Sequence, residues 1–437
     1  MTAVTATYRR VIALGGPLLP VISFLGRLPT AMCQLGSLLL VAETSGSLTT
    51  AGLVGGALAA GQTVAGPLIG RLADRHGQRP VVLAACWANA LLVTALVVAS
   101  LAHLATLPLA LIGLLAGASV PQIGPLARTR LVALARRAPA GDRGQPKPLI
   151  GAALSLEGTL DEVSFVLGPA LVGLAAAVAH PAVALALAAV LLAVCGTAFA
   201  LHPTASVPGA RRVVDAHAAG TERPARARMP GAVHGMRVSM GLQGAMFGAC
   251  QAGITALTER LHQPAQAGLV YAAMGVMSAV SGLSLALVPA RIALPTRWRV
   301  AAAALIVLSV PLLFVRSLWA LYLVVVVLGV AFAPHLITLF GLTERVVPAT
   351  RLAESMAFLT SAVVGGQALA LAASGRLADA HGPSAAFAVA VGAAVLILGV
   401  AITARVSSRT TAPVDGATSA AATPAGSGRS ASADRRP

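Results

Sequence analysis

The chain is poor in charge. Only 10% of its 437 residues are Asp, Glu, Lys or Arg, against about 25% in soluble proteins, which excludes an ordinary soluble domain. It has a single lysine, Lys147, and Pro146 precedes it. A phosphate-binding loop needs Gly-Lys-Ser/Thr, so ATP hydrolysis by this chain is excluded. The His-Glu-x-x-His zinc helix and the Gly-x-Ser-x-Gly nucleophile turn are missing as well. The sequence therefore offers no enzyme motif and implies no cofactor and no metal. Aromatic residues make up 3%, too few to interleave a basic patch for stacking on bases, so the net charge of +17 does not read as nucleic-acid binding. Cys33, Cys86, Cys195 and Cys250 stand singly inside apolar runs, where they fit as small core residues rather than as a disulfide framework. Strand-like alternation of the barrel type is also lacking.

What the chain does have is oil. It is 57% apolar with a mean hydropathy of +0.84, and apolar runs long enough to cross a bilayer recur along it. Twelve helices are expected at 11–42, 48–72, 80–102, 106–136, 151–178, 182–201, 233–262, 266–290, 298–315, 317–346, 352–377 and 383–405. This is the pattern of an all-α membrane protein of two six-helix bundles, 1–202 and 233–405. A cytoplasmic linker at 203–232, rich in Arg, Pro, Ala and Gly, joins them. The tail at 406–437 turns to Thr, Ser, Ala, Pro and Arg, a composition that does not bury a core. Apart from Arg27, Arg260, Arg316 and Arg376, the basic residues fall on alternate connections or the termini. That bias places both termini in the cytoplasm of a multi-pass protein of the cell (plasma or inner) membrane. Arg9 and Arg10 precede an apolar run too long for a signal peptide, so the first helix reads as uncleaved.

The halves repeat. A shift of 216 residues lays Ser23 on Ser239, Arg27 on Gln243, Glu43 on Glu259, and Ala51-Gly52-Leu53-Val54 on Ala267-Gly268-Leu269-Val270. Pro121-Gln122 aligns with Pro334-His335, Glu157 with Glu354, and Gly168 with Gly365.

One stretch is unlike its surroundings: Gly66 to Leu83, GPLIGRLADRHGQRPVVL, a polar turn between two apolar runs. Gly77 supplies backbone freedom, Gly70 allows close packing, and Pro80 can open a helix. Asp74 can hold Arg75 or Arg79, or face the positive end of a neighbouring helix. Gly70, Leu72, Ala73, Asp74, Arg75, Gly77, Arg79 and Leu83 are in register with the signature loop between the second and third helices of major facilitator superfamily transporters. Gln78 departs from that pattern, standing where it has a basic residue. The chain thus resembles that superfamily over nearly its whole length. The resemblance implies alternating access between two bundles, and a cytoplasmic latch in which Asp74 meets the start of helix 11 and an arginine at the end of helix 4. Arg128 and Arg130 are the candidates for that arginine. In the second half, Pro289-Ala290-Arg291 lacks the acid, so the loop is not repeated.

Charges within the predicted helices carry the functional reading. Asp161 and Glu162 lie near the middle of a ~30 Å apolar core, where a carboxylate is tolerated only facing water, a partner or a proton. They are the candidates for proton coupling, the alternative being an ion pair with Arg27. Glu157 and Glu354 lie near helix starts, where capping or gating is expected. Arg27 must pair or line a wet cavity. The resembled fold lines its cavity with helices 1, 4, 7 and 10, which makes Arg27, Gln34, Gln122, Gln243, Gln251 and His335 candidates for substrate contact; His335 could instead be a bonded kink beside Pro334. Gly168-Pro169 followed by Gly173 is similar, in part, to the Gly-Pro motif of the superfamily's antiporters.

The expectation is a secondary transporter, not an enzyme. It would be a monomer in the lipid bilayer that exports a small-molecule substrate in exchange for protons. An uptake carrier or uniporter, or a non-transporting receptor or accessory subunit, is the alternative.

Overall fold

The computed structural model describes residues 2–138, 147–206, 229–263, 266–289 and 291–404. Most of the expected linker, and all of the tail from 406, lie outside the described residues. Those residues are almost entirely helical, with no strand among them.

The first half comprises α1 (Thr2–Gly15), α2 (Leu18–Ser45), α3 (Leu48–His76), α4 (Gln78–Leu101), α5 (Thr106–Ala118), α6 (Ile123–Arg137), α7 (Lys147–Val178), α8 (Pro181–Leu191) and α9 (Thr197–Leu201). A π-helical turn, Leu192–Gly196, joins the last two into one crossing. The second half comprises α10 (Gly231–Arg260), α11 (Gln266–Ser284), α12 (Leu294–Ser309), α13 (Leu318–Val346), α14 (Leu352–His381) and α15 (Pro383–Thr403). Eleven crossings among the described residues are long and apolar enough to span a bilayer. The twelfth, α10, has the length at 30 residues, but Arg237, Gln243 and Gln251 dilute its apolar character. It packs against α14 and α15.

Two expected helices are interrupted. The first breaks between α1 and α2, where Gly16 takes a left-handed φ of +77° and Pro17 has no N–H to continue the ladder. The fourth breaks between α5 and α6, where Pro121 is followed by Gln122 at φ +54°. That second break sits at the centre of the bundle and shapes the site described below.

The outer surface is oily: Val64, Leu91, Val307 and Leu369 are all well exposed, as a lipid-facing surface requires. One large apolar core gathers residues of α10 to α15, joined by Val132 and Leu154 from the first half. Three smaller ones lie within the first half, joined by Ala353. The halves meet along two seams, α3 against α14 and α7 against α11. In the first, a Cβ on Gly70 would stand 2.7 Å from the Ala353 carbonyl oxygen. In the second, Gly275 faces Val166 and Gly282 faces Thr159, an antiparallel register that sets Glu162 opposite Ser278. Both seams are closed from the bundle centre to the end that carries the signature loop.

Candidate functional site

Four charged side chains from three helices converge inside the first half. α7 contributes Glu157 and Asp161, one turn apart on the same face. α2 contributes Arg27, whose Nε donates to the Ser23 carbonyl at 3.1 Å. Arg27 Nη2 donates to Glu157 Oε2 at 2.5 Å, and Nη1 to Asp161 Oδ1 at 2.6 Å. From α6, Arg128 Nη2 donates to Asp161 Oδ2 at 2.5 Å. The Asp161 carboxylate thus bridges two guanidinium groups, and the four formal charges cancel. Arg27, Arg128 and Glu157 are buried, whereas Asp161 is 14% exposed. Such a cluster is tolerable in a low-dielectric interior only because it is neutral and bonded. The bonding is incomplete: among the described residues, Arg128 Nε and Nη1 and Glu157 Oε1 have no partner. The Arg128 guanidinium also lies 3.5 Å over the Phe340 ring of α13, so the cluster touches the second half.

Two expectations are corrected here. Arg128 pairs with Asp161 rather than Asp74, because α6 starts late, after the Gln122 break, and turns this side chain inward. Glu157 is not a capping residue. α7 begins at Lys147, earlier than expected, which carries Glu157 nearly three turns into the helix and leaves it fully buried.

A cavity of about 40 Å³ opens beside the cluster, lined by Arg27, Thr30, Gln62, Gln122, Asp161 and Ser164 among others. That volume suits water rather than cargo. The left-handed Gln122 turns the broken α5–α6 backbone toward the cavity, and Gln34 Nε2 donates to Gln62 Oε1 at 3.1 Å.

Glu162 belongs to neither the cluster nor the cavity. It is 6% exposed and looks across the α7–α11 seam. Among the described residues no cationic side chain pairs with it. The Ser278 hydroxyl faces it without closing a hydrogen bond, and Tyr271 lies nearby.

At the signature-loop end, Asp74 accepts from the backbone N–H groups of Glu354 at 2.9 Å and Ala353 at 3.3 Å, the free donors at the start of α14. Gly77 turns the chain at φ +88°, while Arg75 and Arg79 are exposed. Arg130 does not reach Asp74 either. Its Nε donates to Gln78 Oε1 at 2.6 Å, and its Nη1 to the Phe199 carbonyl at 2.7 Å. Two further contacts cross between halves: Arg136 pairs with Glu344, and Tyr8 of α1 donates to the Leu283 carbonyl at 2.8 Å.

The sequence profile of the major facilitator superfamily matches residues 21–349. The chain belongs to that superfamily. It is accordingly a multi-pass membrane transport protein. Among solved structures it is similar to the human organic anion transporter MFSD10 (TETRAN), at 19% identity and a TM-score of 0.64, with 90% of this chain and 99% of that one covered. It is also similar to a bacterial homologue of the iron transporter ferroportin in an outward-facing state, at 16% identity and a TM-score of 0.65, covering 88% and 97%. At these identities the likeness speaks to the fold. No curated protein sequence matches the chain.

The superfamily's two halves are here unequal in chemistry. At the position that Arg27 holds in the first half, the second half has Gln243. There a neutral chain runs from Trp298 Nε1–H to His335 Nε2 at 3.2 Å, from His335 Nδ1 to Gln243 Oε1 at 2.6 Å, and from Gln243 Nε2 to the Phe332 carbonyl at 3.0 Å. Both ring nitrogens of His335 are engaged and the side chain is fully buried. The expected role of Gln243 and His335 as cavity residues is therefore corrected: they brace α10 against α12 and α13. Trp298 was the missed partner, and its indole N–H donor, between Arg297 and Arg299 in the first turns of α12, was the available signal. Gln251 lies farther along α10 and accepts from Gln367 at 3.4 Å. Gly168 lets α7 approach α2, since a Cβ there would stand 2.6 Å from that of Ala31. Pro169 lies within α7, and Gly173 meets no neighbour.

Proposed function

We propose that this superfamily member exports a small organic compound in exchange for protons, by alternating access between its two six-helix bundles. The observation that carries the reading is the pair of consecutive carboxylates at the bundle centre. Asp161 is balanced by two arginines beside a small polar cavity, and Glu162 is buried on a seam between the halves with no cation paired to it among the described residues. Acidic groups in a membrane interior are costly, and proton movement is the role that accounts for keeping one unpaired. Gly168-Pro169 in α7 favours exchange over uptake.

The positive bias of alternate connections puts the signature-loop end, and both termini, in the cytoplasm of the cell membrane. The structure then corresponds to a state closed on the cytoplasmic side, with Asp74 holding the start of α14. Opening would break that contact together with Arg136–Glu344 and Tyr8–Leu283. Arg27, Gln34, Gln122 and Gln251 are the polar groups available to cargo once the crevice widens.

The test is flux. Everted membrane vesicles containing the protein, energised to an acidic lumen, are screened with a panel of labelled organic compounds. Accumulation of one or more compounds that collapses when the pH gradient is dissipated is the expected result. Accumulation in right-side-out vesicles instead would reverse the direction, and ligand binding without any flux would make the protein a receptor.

A further inference from the structure

Asp161 and Glu162 are consecutive in α7, and their surroundings separate them. Asp161 accepts from two guanidinium groups at 2.6 and 2.5 Å. A proton arriving there would have to displace a charge-assisted bond and leave two buried arginines sharing a single carboxylate, Glu157. Glu162 loses nothing by taking a proton.

Among the described residues, no element around Glu162 presents a free cation that could hold it ionised. On α2 and α6, Arg27 and Arg128 are committed to Asp161 and Glu157. On α13, His335 is committed to Trp298 and Gln243. α8 carries no titratable residue. The basic residues of α1 lie at the signature-loop end, far along the helix. Across the seam, α11 offers Ser278 and Tyr271, and α10 offers Cys250, none of them a cation. The nearest like charge is Asp161 itself. One hydroxyl hydrogen from Ser278 falls far short of the cation that an ionised carboxylate needs in such surroundings.

The seam adds a direction. Val166 packs on Gly275 and Thr159 on Gly282, so Glu162 is enclosed only while α7 and α11 stay together. When they part, its carboxylate meets water.

We infer that Glu162, and not Asp161, is the proton-binding group, and that the α7–α11 seam is the lock it controls. This rests on the proton-coupled reading above. The step is one proton to one carboxylate oxygen: the O–H bond forms while the signature-loop end is shut, with a proton from water on the opposite side. The bond breaks, and the proton passes to water on the signature-loop side, when the seam opens. The ionised carboxylate then resists closing until cargo is bound, and it takes its next proton from the opposite side once the signature-loop end has shut again. Asp161 keeps its charge throughout and holds α2, α6 and α7 together as a unit.

The experiment measures seam opening against pH. Spin labels are placed at Arg79→Cys and Arg345→Cys, exposed sites on opposite halves at the signature-loop end; the four native cysteines are buried and stay unlabelled. Distances are read in lipid nanodiscs across a pH series. In the otherwise unchanged protein, the longer-distance population grows as pH rises. Glu162→Gln holds the short distance at every pH, Glu162→Asp restores a pH response, and Asp161→Asn retains one. A Glu162→Gln variant that responds like the parent, or an Asp161→Asn variant that alone loses the response, overturns the assignment to Glu162. A parent protein indifferent to pH overturns the proton-coupled reading itself.

Discussion

Asp161 and Glu162 are consecutive in α7 and share no partner: the first bridges Arg27 and Arg128, while the second faces Ser278 on the other half. A helix turns about 100° per residue, so neighbours point to different surfaces. Here one points into the first bundle and the other out of it, onto the α7–α11 seam. One residue step along a single helix thus separates a fixed charge that organises a bundle from an unpaired one at the contact between bundles.

The charged cluster should respond as a unit. Arg128→Met leaves the buried cluster with net charge −1 and is expected to cost about 3–5 kcal/mol, the usual consequence of removing one partner of a buried pair. Adding Asp161→Asn restores neutrality, leaving Arg27 with Glu157, and should recover most of that loss. Denaturation of the single and double variants in detergent checks this; additive losses would mean that the two residues do not act together.

The Asp74 contact makes a second prediction. A carboxylate accepting two backbone N–H groups contributes about 1.5–3 kcal/mol, so Asp74→Ala should raise the open population tenfold or more. Gly70→Val should act in the same direction, because its Cβ would stand 2.7 Å from the Ala353 oxygen. The readout is the rate at which a thiol reagent modifies Ala353→Cys, a site buried in the closed state.

Gln78 stands where the signature pattern has a basic residue, and the structure supplies the reason: its Oε1 accepts from Arg130 Nε at 2.6 Å. Gln78→Arg removes the acceptor and sets two cations together. A loss of about 1–3 kcal/mol is expected, while Gln78→Glu keeps the acceptor and should be tolerated. Thermal melting of the two variants separates these outcomes.

α1 offers a further test. Burial raises the Tyr8 phenol above its ordinary value of 10.0, against a smaller opposing effect from Ser155. The hydroxyl therefore keeps its proton through the physiological range, and its bond to Leu283 fades only as pH climbs past that raised value. Tyr8→Phe removes the bond at every pH and should favour opening by about 0.5–1.5 kcal/mol, a few-fold in population. The distance measurement described for Glu162 reads it.

Much of the architecture was legible because bilayer crossing imposes length and oil on every helix, and because the signature loop is dense in specific residues. Helix starts were legible only loosely, and that is where the site was misjudged. Beginning α7 at Lys147 instead of 151 moved Glu157 from a helix end into the interior. Arg128 was assigned by its place at the end of helix 4, where the resemblance puts a partner for Asp74. Its true partner, Asp161, depends on rotation about α6, which the Gln122 break resets and no spacing rule foresees. The Trp298–His335–Gln243 chain joins three helices far apart in sequence, so no local pattern connects them.

The central claim is that cargo moves only when the two halves part at the signature-loop end. The most direct measurement replaces the Arg136–Glu344 contact with a covalent one: Arg136→Cys and Glu344→Cys joined by a short bifunctional thiol reagent, with proton-driven flux of a compound found in the vesicle screen followed before and after. The account expects the unlinked double variant to transport and the linked protein to stop. Linked protein that carries the compound at the unlinked rate would contradict it.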